Sequence, residues 1–171
     1  MSDSPSNGNG HAQDAQPAVG AAAQIQVLAQ YVKDLSFENP AAPMSLQGQK
    51  PALEVSVDVQ ARGLGIDQYE VAISIRADAK AATQTIFVCE VTYAGVFILK
   101  NITQENIQPI LLIECPRQLF PFARRVVADT TRDGGFPPLM LDPIDFNGIY
   151  LQQLQHRQGE PESTGAPAGE A

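Results

Sequence analysis

The chain has 171 residues, 44% of them apolar, and a formal net charge of −8. This length suits one domain with a core of its own, and no apolar run is long enough for a membrane-spanning helix, so direct membrane insertion is not expected. The acidic balance argues against nucleic acid as a partner, because phosphate groups are bound by an excess of Lys and Arg, and it favours a basic partner.

The two ends differ in composition from the middle of the chain. Residues 1–23 are rich in small and polar residues and residues 156–171 form a similar, acidic tail, so neither end can bury enough apolar surface to offset its ordering entropy. We predict two disordered tails around a folded unit at residues 24–155. The start carries no signal-peptide pattern, which predicts a protein that stays where it is made. Both histidines, His11 and His156, lie outside the folded unit, which therefore offers no histidine for an active site.

The first predicted strand is QVLAQYVKDLSFE, which begins at Gln26. Its second half alternates and divides into two faces, with Tyr31, Lys33, Leu35 and Phe37 on one and Val32, Asp34, Ser36 and Glu38 on the other. The segment NPAAPMSLQGQKP that follows is rich in proline and predicts a crossover loop instead of a tight hairpin.

Three more strands are predicted in succession, and they form a meander. The run ALEVSVDVQA has an apolar face of Leu53, Val55, Val57 and Val59. The run YEVAISIRADA has an apolar face of Tyr69, Val71, Ile73 and Ile75. The run TIFVCEVTYAGVFIL is the predicted central strand, with an apolar face of Phe87, Cys89, Val91 and Tyr93 and a mixed face of Ile86, Val88, Glu90 and Thr92.

Helical spacing replaces alternation in the last third of the chain. Pro109 and Pro116 predict that any helix in QPILLIECP is short, whereas LFPFARRVVADTTRDGG predicts a helix that ends at Gly134. A last helix is predicted to begin with Asp142 as N-cap and Pro143 in its first turn. Strands followed by helices predict an α+β fold, a four-stranded antiparallel sheet with helices packed on one face and the other face exposed.

Three groups of residues are candidates for a site, and each has a simpler interpretation. The acids Asp34, Glu38 and Glu90, beside Val88, form either a docking patch for a basic partner or a solvated sheet face. An apolar surface of Leu53, Val55 and Val57 with Tyr150 and Leu154 of the last helix is either an interaction groove or ordinary core packing. Arg124 and Arg125 either clamp an anion or form the solvated side of a helix, where they face water or pair with Asp129.

The sequence offers no pattern for a metal, a cofactor or catalysis. Cys89 and Cys115 form neither a CxxC pair nor a disulfide framework and are predicted to be reduced thiols in the core. No nucleophile stands beside a plausible base, and no glycine-rich loop precedes a helix.

Several segments together resemble the bacterial protein-export chaperone family SecB. They are QIQVLAQYVKDLSFENPAAP, YEVAISI, FVCEV, LFPFAR and GGFPPLMLDPIDFNGIYLQQL, in the order and at about the spacing of that family. The resemblance implies a cytoplasmic homotetramer, a dimer of dimers, that is not an enzyme. Such a protein holds unfolded secretory precursor proteins without ATP and delivers them to the SecA export ATPase.

The resemblance also implies roles for particular residues. Docking of the basic, zinc-bearing C-terminal tail of SecA is carried over to Asp34, Glu38, Val88 and Glu90. Client binding is carried over to an apolar groove that includes Leu53, Val55, Val57, Tyr150 and Leu154. Contacts between dimers are carried over to Cys89 and Val91. Two alternatives stay open: a SecB-like chaperone dedicated to another client such as an antitoxin, and a small ligand-binding α+β protein.

Overall fold

Four long strands form a single antiparallel sheet. The computed structural model describes residues 22–48 and 50–159, so the predicted tails lie outside the description except for residues 22–23 and 156–159. The strands are β1 (Gln24–Glu38), β2 (Ala52–Gly65), β3 (Gln68–Ala81) and β4 (Gln84–Lys100). Their order is β1-β4-β3-β2, so β4 lies inside the sheet as predicted, while β1 and β2 are its edges.

Helices cover one face of this sheet. They are α1 (Gln104–Pro109), a single π-helical turn (Ile110–Glu114), α2 (Cys115–Asp133) and α3 (Phe146–Gly159), and the crossover between β1 and β2 contains one turn of 3-10 helix (Met44–Gln47). Buried apolar side chains of β3, β4 and α2 form the core, among them Ile73, Ile75, Phe97 and Leu119. Within residues 22–48 and 50–159 the helices lie on this face only, and the predicted α+β fold is confirmed.

The helical region before α2 is longer than predicted. Residues 104–133 are helical throughout, whereas Pro109 and Pro116 had indicated only a short helix. Pro116 lies in the first turn of α2, directly after the π-helical turn Ile110–Glu114. Pro109 ends α1 where the chain widens into the π-helical turn, so neither proline breaks the path of the chain.

The last helix begins later than predicted. The start signal at Asp142 and Pro143 is wrong, because α3 begins at Phe146 and the Asp145 backbone oxygen accepts the N–H of Ile149 at 3.2 Å. The segment before it has no regular secondary structure, and Leu141 within it is buried against the core. The end of α2 is as predicted, since Gly134 caps it and Gly135 adopts a φ of +89°, which favours glycine.

Two register shifts in β1 change which residues share a face. One lies between Val27 and Ala29 and the other between Val32 and Asp34, so Lys33 is an extra residue in the strand. Strict alternation had placed Tyr31 and Lys33 on the same face as Leu35, and that prediction is wrong for both residues. Val32 was assigned to the opposite face and instead pairs with Tyr93, on the helix-covered side.

Candidate functional site

The acids singled out in the sequence lie together on the open face of the sheet, the face that no helix of the described residues covers. Across β1 and β4, Asp34 pairs with Thr92, Ser36 with Glu90 and Glu38 with Val88, and residues directly opposite each other in antiparallel strands point to the same side. Asp34, Glu38, Val88 and Glu90, hereafter the acidic patch, are therefore neighbours on one surface. The bulge at Lys33 leaves their predicted placement intact, because it lies before Asp34.

The acidic surface continues onto β3 and β2, where the sequence analysis had not followed it. Glu54 pairs with Asp78, Asp78 with Val88, and Asp58 with Ser74, which places all three acids on the same face as the acidic patch. The alternation in the sequence could have shown this, because these three acids occupy the polar positions of their strands. A shallow pocket of about 300 Å³ crosses this surface and is bordered by Asp34, Asp58, Arg76 and Glu90, among others.

Arg76 is a basic side chain inside this acidic surface. Its guanidinium donates from Nε and Nη2 to the two carboxylate oxygens of Asp78, at 2.8 and 2.9 Å. It also forms an ion pair with Glu90, its partner across β3 and β4. The hydrogen bond from Arg76 holds the pKa of Asp78 below its ordinary value. Sequence reasoning missed this arrangement because it depends on which strands are neighbours.

A second charged cluster is centred on Glu70 of β3, also on the open face. Glu70 Oε2 accepts hydrogen bonds from Arg62 Nε at 2.6 Å and Lys33 Nζ at 2.8 Å, and Tyr31 donates its hydroxyl to the other oxygen. These bonds, from Arg62 first, lower the pKa of Glu70 to about 2, and the bond to Glu70 raises the pKa of Tyr31. Three strands therefore contribute to one nearly buried carboxylate.

An apolar groove lies on the opposite, helix-bearing side of the sheet, at the β2 edge. Leu53, Val55 and Val57 form one wall, and segment 139–144 forms the other, around a volume of about 470 Å³. Leu53 is 44% exposed and Val55 41% exposed, so this end of β2 is not ordinary core. Neither Tyr150 nor Leu154 borders this volume. Tyr150 instead packs, partly buried, against the core.

One buried hydroxyl holds the second wall of the groove. Thr131 Oγ1 donates to the backbone oxygen of Val127 at 3.0 Å and accepts the N–H of Leu139 at 2.9 Å. Thr131 is completely buried, and its hydroxyl has both an acceptor and a donor partner inside the protein. This contact fixes the point where segment 139–144 begins. The segment was assigned to a helix start in the sequence, which is why this wall was missed.

Cys89 and Val91 lie in the core of the single chain. Each is 1% exposed, on the face of β4 that α2 covers. Any effect of these two residues on contacts between dimers would therefore be transmitted through the packing around them. Cys89 and Cys115 are buried thiols without a disulfide, and burial raises the pKa of the first to about 11 and of the second to about 12.

The arginines of the LFPFAR segment border a different surface. Arg124 and Arg125 line an open pocket on α2 together with Pro138 and Met140. The ion pair with Asp129 is made by Arg132, at 3.1 Å, and not by either of these two residues.

Among the described residues, no group of three or more His, Cys, Asp or Glu side chains could hold a metal ion. None of the helices within residues 22–48 and 50–159 has the length and apolar character needed to cross a bilayer.

Comparison with known proteins decides the family. Residues 18–157 match the family model described as preprotein translocase subunit SecB. This chain belongs to the SecB family. The SecB of Rhodopseudomonas palustris strain TIE-1, a protein-export protein, is 52% identical over 159 residues, which cover 91% of this chain and 98% of the relative. The SecB of Maricaulis maris strain MCS10 is 56% identical over 146 residues, covering 82% and 85%.

A solved structure shares the SecB fold. It is a SecB-like chaperone of Mycobacterium tuberculosis in complex with a peptide from the HigA1 antitoxin, with a TM-score of 0.59 and 21% identity over 71% of this chain and 91% of that one. At that identity the likeness concerns the fold alone. In this SecB family member, the acidic patch and the apolar groove lie on opposite faces of one sheet.

Proposed function

We propose that this SecB family protein is an ATP-independent chaperone. It holds unfolded precursor proteins in the apolar groove and delivers them to the SecA export ATPase, which docks on the acidic patch. The observation that carries the proposal is the placement of two exposed surfaces of opposite chemistry on opposite faces of the sheet, so that a client and a docking partner can be bound together. The protein acts in the cytoplasm and is not an enzyme.

The groove suits an unfolded chain. Leu53 and Val55 of β2 expose apolar surface, and β2 is an edge strand, so no further strand of the described residues pairs with its outer backbone groups. An extended client can therefore combine apolar contacts with backbone hydrogen bonds, and neither requires a particular sequence. A folded client buries both kinds of group, so selectivity depends on how long a client stays unfolded.

The acidic patch suits a basic tail. Asp34, Glu38 and Glu90 present negative charge beside the apolar side chain of Val88, without a helix over them. Such a surface attracts a basic segment over a distance and adds a small apolar contact at its centre. The zinc-bearing C-terminal tail of SecA is the segment that we propose docks here.

Exposed apolar residues at β1 support assembly into a homotetramer, a dimer of dimers. On the helix-facing side of this edge strand, Ile25, Val32 and Leu35 remain 37%, 44% and 47% exposed, and Phe122 of α2 is 45% exposed. Apolar side chains in such a row usually mark a surface that another chain covers. Four subunits multiply the weak contacts with one long client through effective concentration.

The test separates the two surfaces by two substitutions. Glu90→Lys reverses a charge in the acidic patch and should abolish SecA binding while leaving assembly and client binding unchanged. Val55→Asp places a charge in the groove and should weaken client binding while leaving SecA binding unchanged. Glu105→Lys, at an exposed residue of α1, makes the same change in net charge as Glu90→Lys and is the control for that substitution.

Binding is measured by light scattering after size exclusion with an unfolded precursor, with the same precursor folded, and with SecA, in the absence of nucleotide. A tetramer that carries only the unfolded precursor is the expected result. Equal loss of both activities in Glu90→Lys would contradict the separation of the sites. Client binding without any SecA binding would instead favour a chaperone dedicated to another client, such as an antitoxin. A monomer that binds neither the unfolded nor the folded precursor would favour a small ligand-binding protein.

A further inference from the structure

Arg76 occupies the acidic surface on which the basic tail is proposed to dock. Its guanidinium is shared between Asp78, which accepts two hydrogen bonds, and Glu90, which accepts an ion pair. Asp78, and at longer range Glu38, raise the pKa of Arg76, so both acids lie within its electrostatic reach. The surface therefore carries its own cation at its centre.

This cation competes with an incoming basic side chain. A Lys or Arg of a partner that is to pair with Glu90 meets a carboxylate that already has a positively charged partner. It also meets repulsion from Arg76 itself, which is 49% exposed at its side chain. Yet the Arg76–Glu90 pair is solvent-accessible, with Glu90 40% exposed, and accessible pairs of this kind exchange at little cost.

We propose that Arg76 is a specificity-determining residue of the acidic patch. It is a built-in counterion of Glu90, and a basic side chain of the partner replaces it in the pair with Glu90. The inference rests on the proposed docking function and deepens it. Arg76 neutralises repulsion among neighbouring acids while the patch is empty, and it lowers the affinity for weakly basic segments. A partner must then supply enough positive charge in the right geometry to replace it.

The test removes the cation and measures a gain of binding. Arg76→Gln is titrated calorimetrically with a zinc-loaded synthetic peptide of the SecA C-terminal tail, at about 50 and about 200 mM NaCl. We expect roughly 3- to 10-fold tighter binding than in the unchanged protein at the lower salt concentration, and a steeper loss of affinity at the higher one. A gain of affinity cannot arise from a variant that fails to fold.

Two control variants make the result specific. Arg117→Gln removes the same charge from an exposed pair with Glu114 on the helical side, where Arg117 is 45% exposed, and it should bind the peptide as the unchanged protein does. Arg76→Lys keeps the charge and should also bind close to the unchanged level.

The outcomes distinguish this inference from the proposed function. Binding by Arg76→Gln that is equal to or weaker than that of the unchanged protein would overturn the role of Arg76 alone. An equal gain in Arg76→Gln and Arg117→Gln would do the same, because it would show an effect of net charge. If neither the unchanged protein nor Arg76→Gln bound the peptide, the docking function would fail and the inference with it.

Discussion

Replacement of Glu70 by Gln should lower the stability of the fold and remove part of its acid sensitivity. Glu70 is 5% exposed at its side chain and accepts bonds from Lys33, Arg62 and Tyr31. Gln keeps the size of the side chain and removes its charge. Both cations would then lose their ionic partner, and the tyrosine would lose a charged acceptor.

The magnitude follows from the pKa of this carboxyl group. A fall from 4.5 to about 2 corresponds to a ceiling of about 3 kcal/mol at neutral pH. Lys33 and Arg62 are 42% and 64% exposed, so solvent weakens these interactions, and we expect a loss of about 1–2 kcal/mol. Because the pKa is lowered on folding, this stabilisation is complete above about pH 5 and is lost as the pH falls towards 2.

The assay is urea unfolding followed by circular dichroism, at one protein concentration and at several pH values between 7 and about 2. The difference between the two proteins should be largest at neutral pH and should shrink on acidification. Glu114→Gln is the matched control, because its exposed pair with Arg117 should contribute less than about 0.5 kcal/mol. A difference for Glu70→Gln that stayed constant down to the lowest pH would refute the ionic origin of the stabilisation.

Two further predictions concern packing. Thr131→Val removes the acceptor for the Leu139 N–H, so the free energy of unfolding should fall by about 1–3 kcal/mol and client binding should weaken. Thr131→Ser keeps the hydroxyl and should retain client binding. Gly95→Ala brings a methyl group to within 2.7 Å of Leu119 Cδ2 and should cost about 1–3 kcal/mol by urea unfolding. Gly63→Ala meets nothing within 4 Å and should leave stability nearly unchanged, and an equal loss in the two glycine variants would contradict the packing argument.

The groove and the acidic patch show which residues of the candidate sites could be predicted from local sequence patterns. Alternation correctly placed Asp34 and Glu38 on one face of β1, because the bulge at Lys33 comes before both of them. Glu90 joins them only because β1 and β4 are neighbours, a condition that the sequence left open and the sheet fulfils. Alternation also marked Leu53 and Val55 as an apolar surface. It could not identify the opposite wall, since segment 139–144 has no regular secondary structure and therefore no periodicity that would mark it.

Local periodicity was enough to predict the strands, the two faces of the regular ones and the α+β class, because side chains alternate along a regular strand and recur every 3.6 residues along a helix. The folded sheet sets where that regularity fails, as at the bulge that turns Tyr31 and Lys33 towards Glu70. It also decided which charges meet, as in the pairing of Arg76 with Glu90. Both depend on contacts between strands that are distant in the chain, and a local pattern carries no information about its neighbours across the sheet.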